Sequence, residues 1–396
     1  MKFIFFEKER SVWSSLVSLF LFFYLLFSMI SISASQVFIF LAIISFLTLL
    51  ILEKQKFIFP SFFWLIIGYA FFSLLSSFFS VNPGISLADS RELLLFLIVP
   101  AVYAGFSRKE DLSLANYALL ASASLSSLYS IFDFMFLAAP GERASGFMGH
   151  YMTQAGLLLL FSCLALSKIV FSRHKTRWLW AGALLLSLVA LSLTLTRSAW
   201  VGLVVAAAII LFLYKPLTLV IIPVLMGLFF FLSPQYMKKR ALSIFSLKSY
   251  SNQQRVQYIK AGLNIIQEFP LLGTGPDTVD MVFQDPKYEL SAEARRNVHL
   301  HNNLIQIAAE RGIPTLLLWL SFMVWTFISL TKLIRNKSPS LRLLTGASLA
   351  AVAALFSAGL FEYNFADSEI TMLFLYLITL PFSVKRIERK ESKSTQ

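Results

Sequence analysis

Cysteine is almost absent. Cys163 stands alone in an apolar run, so no intramolecular disulfide can form and cysteine usage does not identify the redox compartment. Histidine is nearly as scarce, with four in 396 residues. The chain has no P-loop, no nucleophile elbow, no G-x-G-x-x-G and no H-E-x-x-H, so ATP-driven chemistry and zinc proteolysis find no support. It has no tandem repeat and no low-complexity tract. Charge is also sparse: 14% of residues are charged against 57% hydrophobic, with 40 Phe and a mean hydropathy of +0.73. A soluble domain cannot hide that much apolar surface in one core.

What the chain does have is repeated apolar runs of about 20 residues, the length that crosses a bilayer as a helix. They predict an all-α polytopic membrane protein with about twelve transmembrane helices. The expected spans lie near 11–30, 34–52, 57–79, 92–107, 113–137, 151–171, 177–196, 198–214, 216–232, 313–334, 341–360 and 367–383. The chain then divides into helices one to nine (1–232), a long outward loop (233–312), helices ten to twelve (313–383) and a cytoplasmic tail (384–396), whose residues Glu388 to Gln396 read as polar and disordered. The first run could be read as a signal peptide behind Lys2, Lys8 and Arg10. From about Val12 to Ile30 it exceeds the usual apolar core of such peptides, so it reads as a retained span.

The net charge of +13 suggests nucleic acid until its distribution is seen. Lys54, Lys56, Arg108, Lys109, Arg173, Lys175, Arg177, Arg335 and Lys337 occupy alternate short loops, and Lys385, Arg386, Arg389 and Lys390 the tail. The opposite loops hold only Arg91, Arg143 and Arg197. This pattern orients a membrane protein with both termini in the cytoplasm, among membrane lipids and without nucleic acid. The long loop then faces outward. Val256, Tyr258, Ile259, Leu263, Ile265 and Ile266 give it an amphipathic helix, Glu268-Phe269-Pro270 ends that helix, and Gly273-Thr274-Gly275-Pro276 turns. A second helix is expected from near Asn302 to Gly312, with Pro314 just beyond.

Candidate chemistry gathers at the outward face. Arg197 lies at the junction of two spans, where a cation is costly unless it is paired or faces a polar cavity. The plain alternative is a snorkelling interfacial side chain. Arg143 is either an anion ligand or an exposed loop charge, and Arg255 either a ligand or part of a solvated helix face. Arg91, beside Asp89 and Glu92, reads as salt-bridged. His301 falls at a helix start, where the macrodipole favours a neutral, basic ring, although a histidine there can also simply cap the helix. His299 and His301 form only a weak metal signal, since no third strong ligand is suitably spaced among Asp277, Asp280 and Asp285. Glu362 and Asp367 flank the last outer turn, where either can orient the histidine or touch a hydroxylated acceptor.

Three segments together resemble the O-antigen ligase family, whose core domain is shared with O-antigen polymerases. They are Arg143-Ala144-Ser145-Gly146-Phe147-Met148-Gly149-His150, Leu193-Thr194-Leu195-Thr196-Arg197-Ser198-Ala199-Trp200, and the long loop. The loop carries Arg255, Pro270-Leu271-Leu272-Gly273-Thr274-Gly275-Pro276 and His299-Leu300-His301-Asn302-Asn303-Leu304. The resemblance implies an inverting, metal-independent glycosyltransferase of the bacterial inner membrane with no cofactor. Its donor would be an undecaprenyl-pyrophosphate-linked glycan and its acceptor a lipid A-core sugar, with the site facing the periplasm. It implies that Arg197 and Arg255, with Arg143, hold the donor pyrophosphate and that His301 is the base. Glu362, Asp367, His299 and Asn302 would orient the base or touch the acceptor. A polymerase acting on lipid-linked repeat units carries the same motifs. A transporter is disfavoured by the outward clustering of polar residues and the lack of internal duplication.

Overall fold

The computed structural model describes residues 11–139, 141–246, 249–336 and 338–394, and every regular element among them is helical. Lys2, Lys8 and Arg10 of the signal-peptide reading and Lys337 of the orientation argument lie outside these residues. The first eight α-helices are α1 (Val12–Phe27), α2 (Ile32–Leu52), α3 (Phe63–Phe78), α4 (Pro83–Asp89), α5 (Ile98–Gly105), α6 (Lys109–Phe132), α7 (Tyr151–Phe171) and α8 (Arg177–Leu193). The rest are α9 (Arg197–Tyr214), α10 (Ile221–Leu232), α11 (Gln235–Leu242), α12 (Tyr250–Glu268), α13 (Val279–Val282), α14 (Asn303–Leu333), α15 (Pro339–Gly359) and α16 (Ser368–Ser394). Seven of them, α2, α6, α7, α9, α14, α15 and α16, are long and apolar enough to cross a membrane. This is a multi-pass membrane protein. Shorter apolar helices form at α1, α3, α8 and Pro216–Leu232.

Two expected spans take a different form. The run near 92–107 is a 3-10 stretch, Ser90–Leu97, leading into the eight-residue α5. It opens on charged Arg91 and Glu92, and Pro100 removes a backbone donor inside it. The run near 216–232 also starts in a 3-10 turn, and α10 has no buried residue. Its side chains, with Phe231 78% exposed, form an apolar outer surface suited to lipid.

The core forms around α15, which packs against α7, α9, α14 and α16. Apolar tails solvate an apolar helix as well as another helix does, so close backbone approach must supply the attraction. Ala347, Ala350, Ala351, Ala354 and Ala358 permit that approach along α15. On α9, a Cβ at Gly202 would come within 3.0 Å of the Ala354 carbonyl oxygen. Buried hydroxyls add cross-links, as where Ser348 donates to the Leu377 carbonyl at 2.7 Å.

Among the described residues, the stretch expected to be disordered from Glu388 onward is helix. α16 runs on to Ser394 with Val384 and Ile387 2% exposed. Arg386 donates to the carbonyls of Ala104 and Phe106, and Lys109 pairs with Glu388 and Glu391 at 3.4 and 3.0 Å. Composition marks the segment as polar, but the apolar pair and these long-range bonds hold it as helix.

α14 breaks at Gly312, where φ is +81°, as the sequence suggested. The break leaves carbonyls free, and the 270–276 turn uses them. Thr274 N–H donates to the Ala309 carbonyl at 2.9 Å and Gly275 N–H to that of Glu310 at 2.8 Å. Ile313 N–H returns a bond to the Pro270 carbonyl at 2.9 Å. The backbones meet so closely that a Cβ on Gly312 would lie 2.0 Å from the Leu271 oxygen. Gly312→Ala is therefore expected to lower the melting temperature of the detergent-solubilised protein markedly, since the left-handed φ alone costs on the order of 1–3 kcal/mol. Gly182→Ala, on a helix face with nothing within 4 Å, is the control and should melt like the wild type. Equal melting of the two variants would show that the break is not strained.

Candidate active site

His301 is presented by a locally unusual backbone. Its φ is +50°, a left-handed conformation that few non-glycine residues adopt. Asn302 follows as the N-cap of α14, accepting from the N–H groups of Leu304 and Ile305 at 2.9 and 3.1 Å. Three consecutive side chains then grip the turn between α15 and α16. Asn302 Nδ2 donates to the Leu360 carbonyl at 2.8 Å, His301 Nδ1 meets Glu362 Oε1 at 3.0 Å, and Asn303 Nδ2 donates to Asn364 Oδ1 at 2.8 Å. A Cβ on Gly359 would meet Asn303 Nδ2 at 2.2 Å, so glycine is what admits that side chain.

Glu362 is 8% exposed. Burial pushes its carboxyl up. The hydrogen bond from His301, the charges of His301 and Arg255 and the Tyr363 N–H outweigh burial and hold it below the usual glutamate range. It is thus a carboxylate that accepts a hydrogen bond from His301 Nδ1–H, the tautomer that leaves the lone pair on Nε2. The Tyr258 ring centre lies 5.4 Å from that of His301.

The arginines meet beside this pair. Arg143 lies 4.4 Å over the Tyr151 ring. Arg197 is 4% exposed and its terminal nitrogens are engaged by the loop. Nη1 donates to Ser243 O and Oγ at 2.7 and 3.0 Å, and Nη2 donates to Ser251 Oγ and, at 2.8 Å, to Asn252 Oδ1. Asn252 Oδ1 also accepts from Arg255 Nη1 at 3.4 Å, and this is the hydrogen bond Arg255 makes among the described residues. Arg197 therefore clamps the loop, whereas the Arg255 fork is largely uncommitted.

Arg240 joins them, although the sequence reading passed over it. Its Nε donates at 3.1 Å to the carbonyl of Leu195, another left-handed residue with φ +52°. Burial, then the charges of Arg143 and Arg255, push Arg240 down to about 10, and burial and Arg143 lower Arg255 despite Glu362. Among the described residues, Arg143, Arg197, Arg240 and Arg255 make no salt bridge. Four half-buried or buried cations facing one region cost free energy until an anion arrives. The signal available in the sequence was the run Lys238-Lys239-Arg240 beside a span.

The other candidates lie apart. His299 faces a cavity of about 200 Å³ with Asp89, Glu92 and Asp277, its ring centre 5.6 Å from that of Tyr363. Asp367 accepts from Thr153 Oγ1 at 3.1 Å, and Thr153 meets His150 Nδ1 at 3.3 Å. The partner of Asp89 is Arg311, at 3.1 Å, rather than Arg91, whose Nε donates to the Ala88 carbonyl. Arg311 also binds Glu310 Oε2 at 2.7 Å and the Tyr363 hydroxyl at 2.9 Å, which ties α14 to the last turn.

Burial lowers His299 below its ordinary 6.5, an effect opposed by Glu362 and reinforced by His301. The folded state therefore binds fewer protons at this site than the unfolded state, and its stability falls as pH drops below 6.5. His299→Gln is expected to flatten that part of the acid limb of thermal stability. Parallel melting curves for variant and wild type across the same range would refute the assignment.

Residues 182–320 match the family model described as O-antigen ligase. The match contains Arg197, Arg240, Arg255, His299 and His301, and excludes Arg143, Glu362 and Asp367. No curated protein matches the chain.

Proposed function

We propose that the protein transfers a glycan from undecaprenyl pyrophosphate to a lipid A-core sugar at the periplasmic face of the bacterial inner membrane, a reading supported by the match of residues 182–320 to the O-antigen ligase family model. The observation that carries this reading is the His301–Glu362 pair beside four arginines. His301 Nε2 takes the proton of the acceptor hydroxyl as its oxygen bonds to the sugar C1 and the C1–O bond to pyrophosphate breaks. Attack opposite the leaving group inverts the anomeric centre. Glu362 fixes the tautomer and stabilises the imidazolium that forms, the role a carboxylate plays beside histidine in hydrolytic triads.

Arg255, Arg143 and Arg240 take the pyrophosphate oxygens, neutralising charge as the leaving group departs. Arg197 holds the loop that carries Arg255, and reaches the donor itself when it exchanges Ser243 or Ser251 for a phosphate oxygen. The guanidinium charge supports transfer without a divalent metal. Both termini lie in the cytoplasm, and the loop between spans nine and ten of about twelve covers the site and limits water.

The test is reconstitution with lipid-linked glycan, offering either lipid A-core or a second lipid-linked repeat as acceptor. Product on lipid A-core, formed in the presence of a chelator, is expected. Chain extension on the lipid-linked repeat alone would make the protein a polymerase.

A further inference from the structure

At the end of the bundle away from the arginines, α6, α7 and α8 enclose a second cavity of about 250 Å³. At about 30 Å³ per water, that is room for a ligand of several heavy atoms. Its polar lining is one-sided. Lys168, His174 and Arg177 bring basic nitrogens, Ser113, Ser172 and Thr176 bring hydroxyls, and no carboxylate lines it. Lys168 sits in the last turn of α7 with its Nζ 5.3 Å from the centre of the buried Trp180 ring, and makes no ion pair among the described residues. Thr176 N–H donates to His174 Nδ1 at 3.3 Å and the Thr176 hydroxyl lies 2.9 Å from the same nitrogen, which commits that hydroxyl proton to the ring and places the imidazole proton on Nε2. Ser172 Oγ accepts from the His174 N–H at 3.2 Å and keeps its own proton for another partner.

Membrane orientation explains basic residues in the 172–177 loop. Lys168 comes from the last turn of the helix itself and faces the same cavity. We infer that this pocket binds a phosphate-bearing anion, with guanidinium, ammonium, imidazole and hydroxyl donors converging on phosphate oxygens. The phosphate can belong to an anionic lipid headgroup or to a soluble phosphate. Trp178 and Leu179, 67% and 60% exposed, follow Arg177 on the outer surface and favour the lipid. The site is independent of the transfer reaction proposed above.

The experiment uses full-length protein in phosphatidylcholine nanodiscs, titrated with phosphatidylglycerol and read by native mass spectrometry. Wild type is expected to retain phosphatidylglycerol, and Lys168→Gln and Arg177→Gln each to weaken it roughly fivefold, the effect of one basic residue on an anionic lipid. Lys168→Arg should restore retention. A parallel titration with inorganic phosphate separates the sources: stabilisation by phosphate that requires Lys168, with no retained phosphatidylglycerol, assigns a soluble ligand. Arg177→Gln changes a side chain at the pocket mouth, so it decides the matter if Lys168→Gln fails to fold. Equal retention of phosphatidylglycerol, and an equal response to phosphate, in wild type and the folded glutamine variants would overturn the inference.

Discussion

His301→Ala is expected to remain folded in the membrane and to lose transfer activity by about 10²–10⁴-fold, the usual contribution of a positioned general base. Its side chain supplies no cap to α14, because Asn302 provides the capping oxygen. What the variant loses is the ring nitrogen beside Glu362. Glu362→Gln should fall less far, since an amide still holds the ring while losing the charge that steadies the imidazolium. His299→Ala should retain substantial activity, because that ring lies against Tyr363 and faces the cavity of Asp89, Glu92 and Asp277, which His301 does not line. Turnover of His301→Ala at the wild-type rate would end the base assignment, and a dead His299→Ala beside it would move the assignment to that residue.

Arg197→Lys and Arg255→Lys are both expected to be severely impaired, by different routes. Lysine keeps the charge but cannot reproduce a planar fork. At position 255 the fork is largely free, so the lysine variant should melt normally and show its defect in donor binding, as a raised KM for lipid-linked glycan. At position 197 the fork holds Ser243, Ser251 and Asn252. There the lysine variant should lose activity and also expose the 235–255 segment to protease. A normally resistant Arg197→Lys with wild-type kinetics would show that the clamp is dispensable. An Arg255→Lys with unchanged KM would remove that residue from the donor site.

Much of this arrangement is legible before any coordinates. The amphipathic spacing from Val256 to Ile266 marks α12, and the Gly312–Pro314 pair marks the break in α14, because local periodicity and backbone chemistry decide both. The helix start at Asn302 follows from capping chemistry. Contacts between distant segments are not written in local patterns. Nothing in the spacing of Leu360, Glu362 and Asn364 says that three successive side chains of 301–303 will fasten there. Nor does any pattern tell a free Arg255 from a committed Arg197, since the difference is made by Ser243, Ser251 and Asn252, 46 to 55 residues away. Hydropathy also overestimates helix continuity where proline or a polar start interrupts an apolar run, as at 92–107 and 216–232.

The grip of residues 301–303 on the 360–364 turn has a consequence for modularity. The family match ends at residue 320, yet the carboxylate that pairs with His301 comes from beyond that boundary. A stretch transplanted on the limits of that match would carry His301 and three of the arginines but neither Glu362 nor Arg143. Under the transfer mechanism proposed above, the smallest transferable unit reaches from the loop before α7 through the turn before α16, and exchanges between relatives must move those segments together.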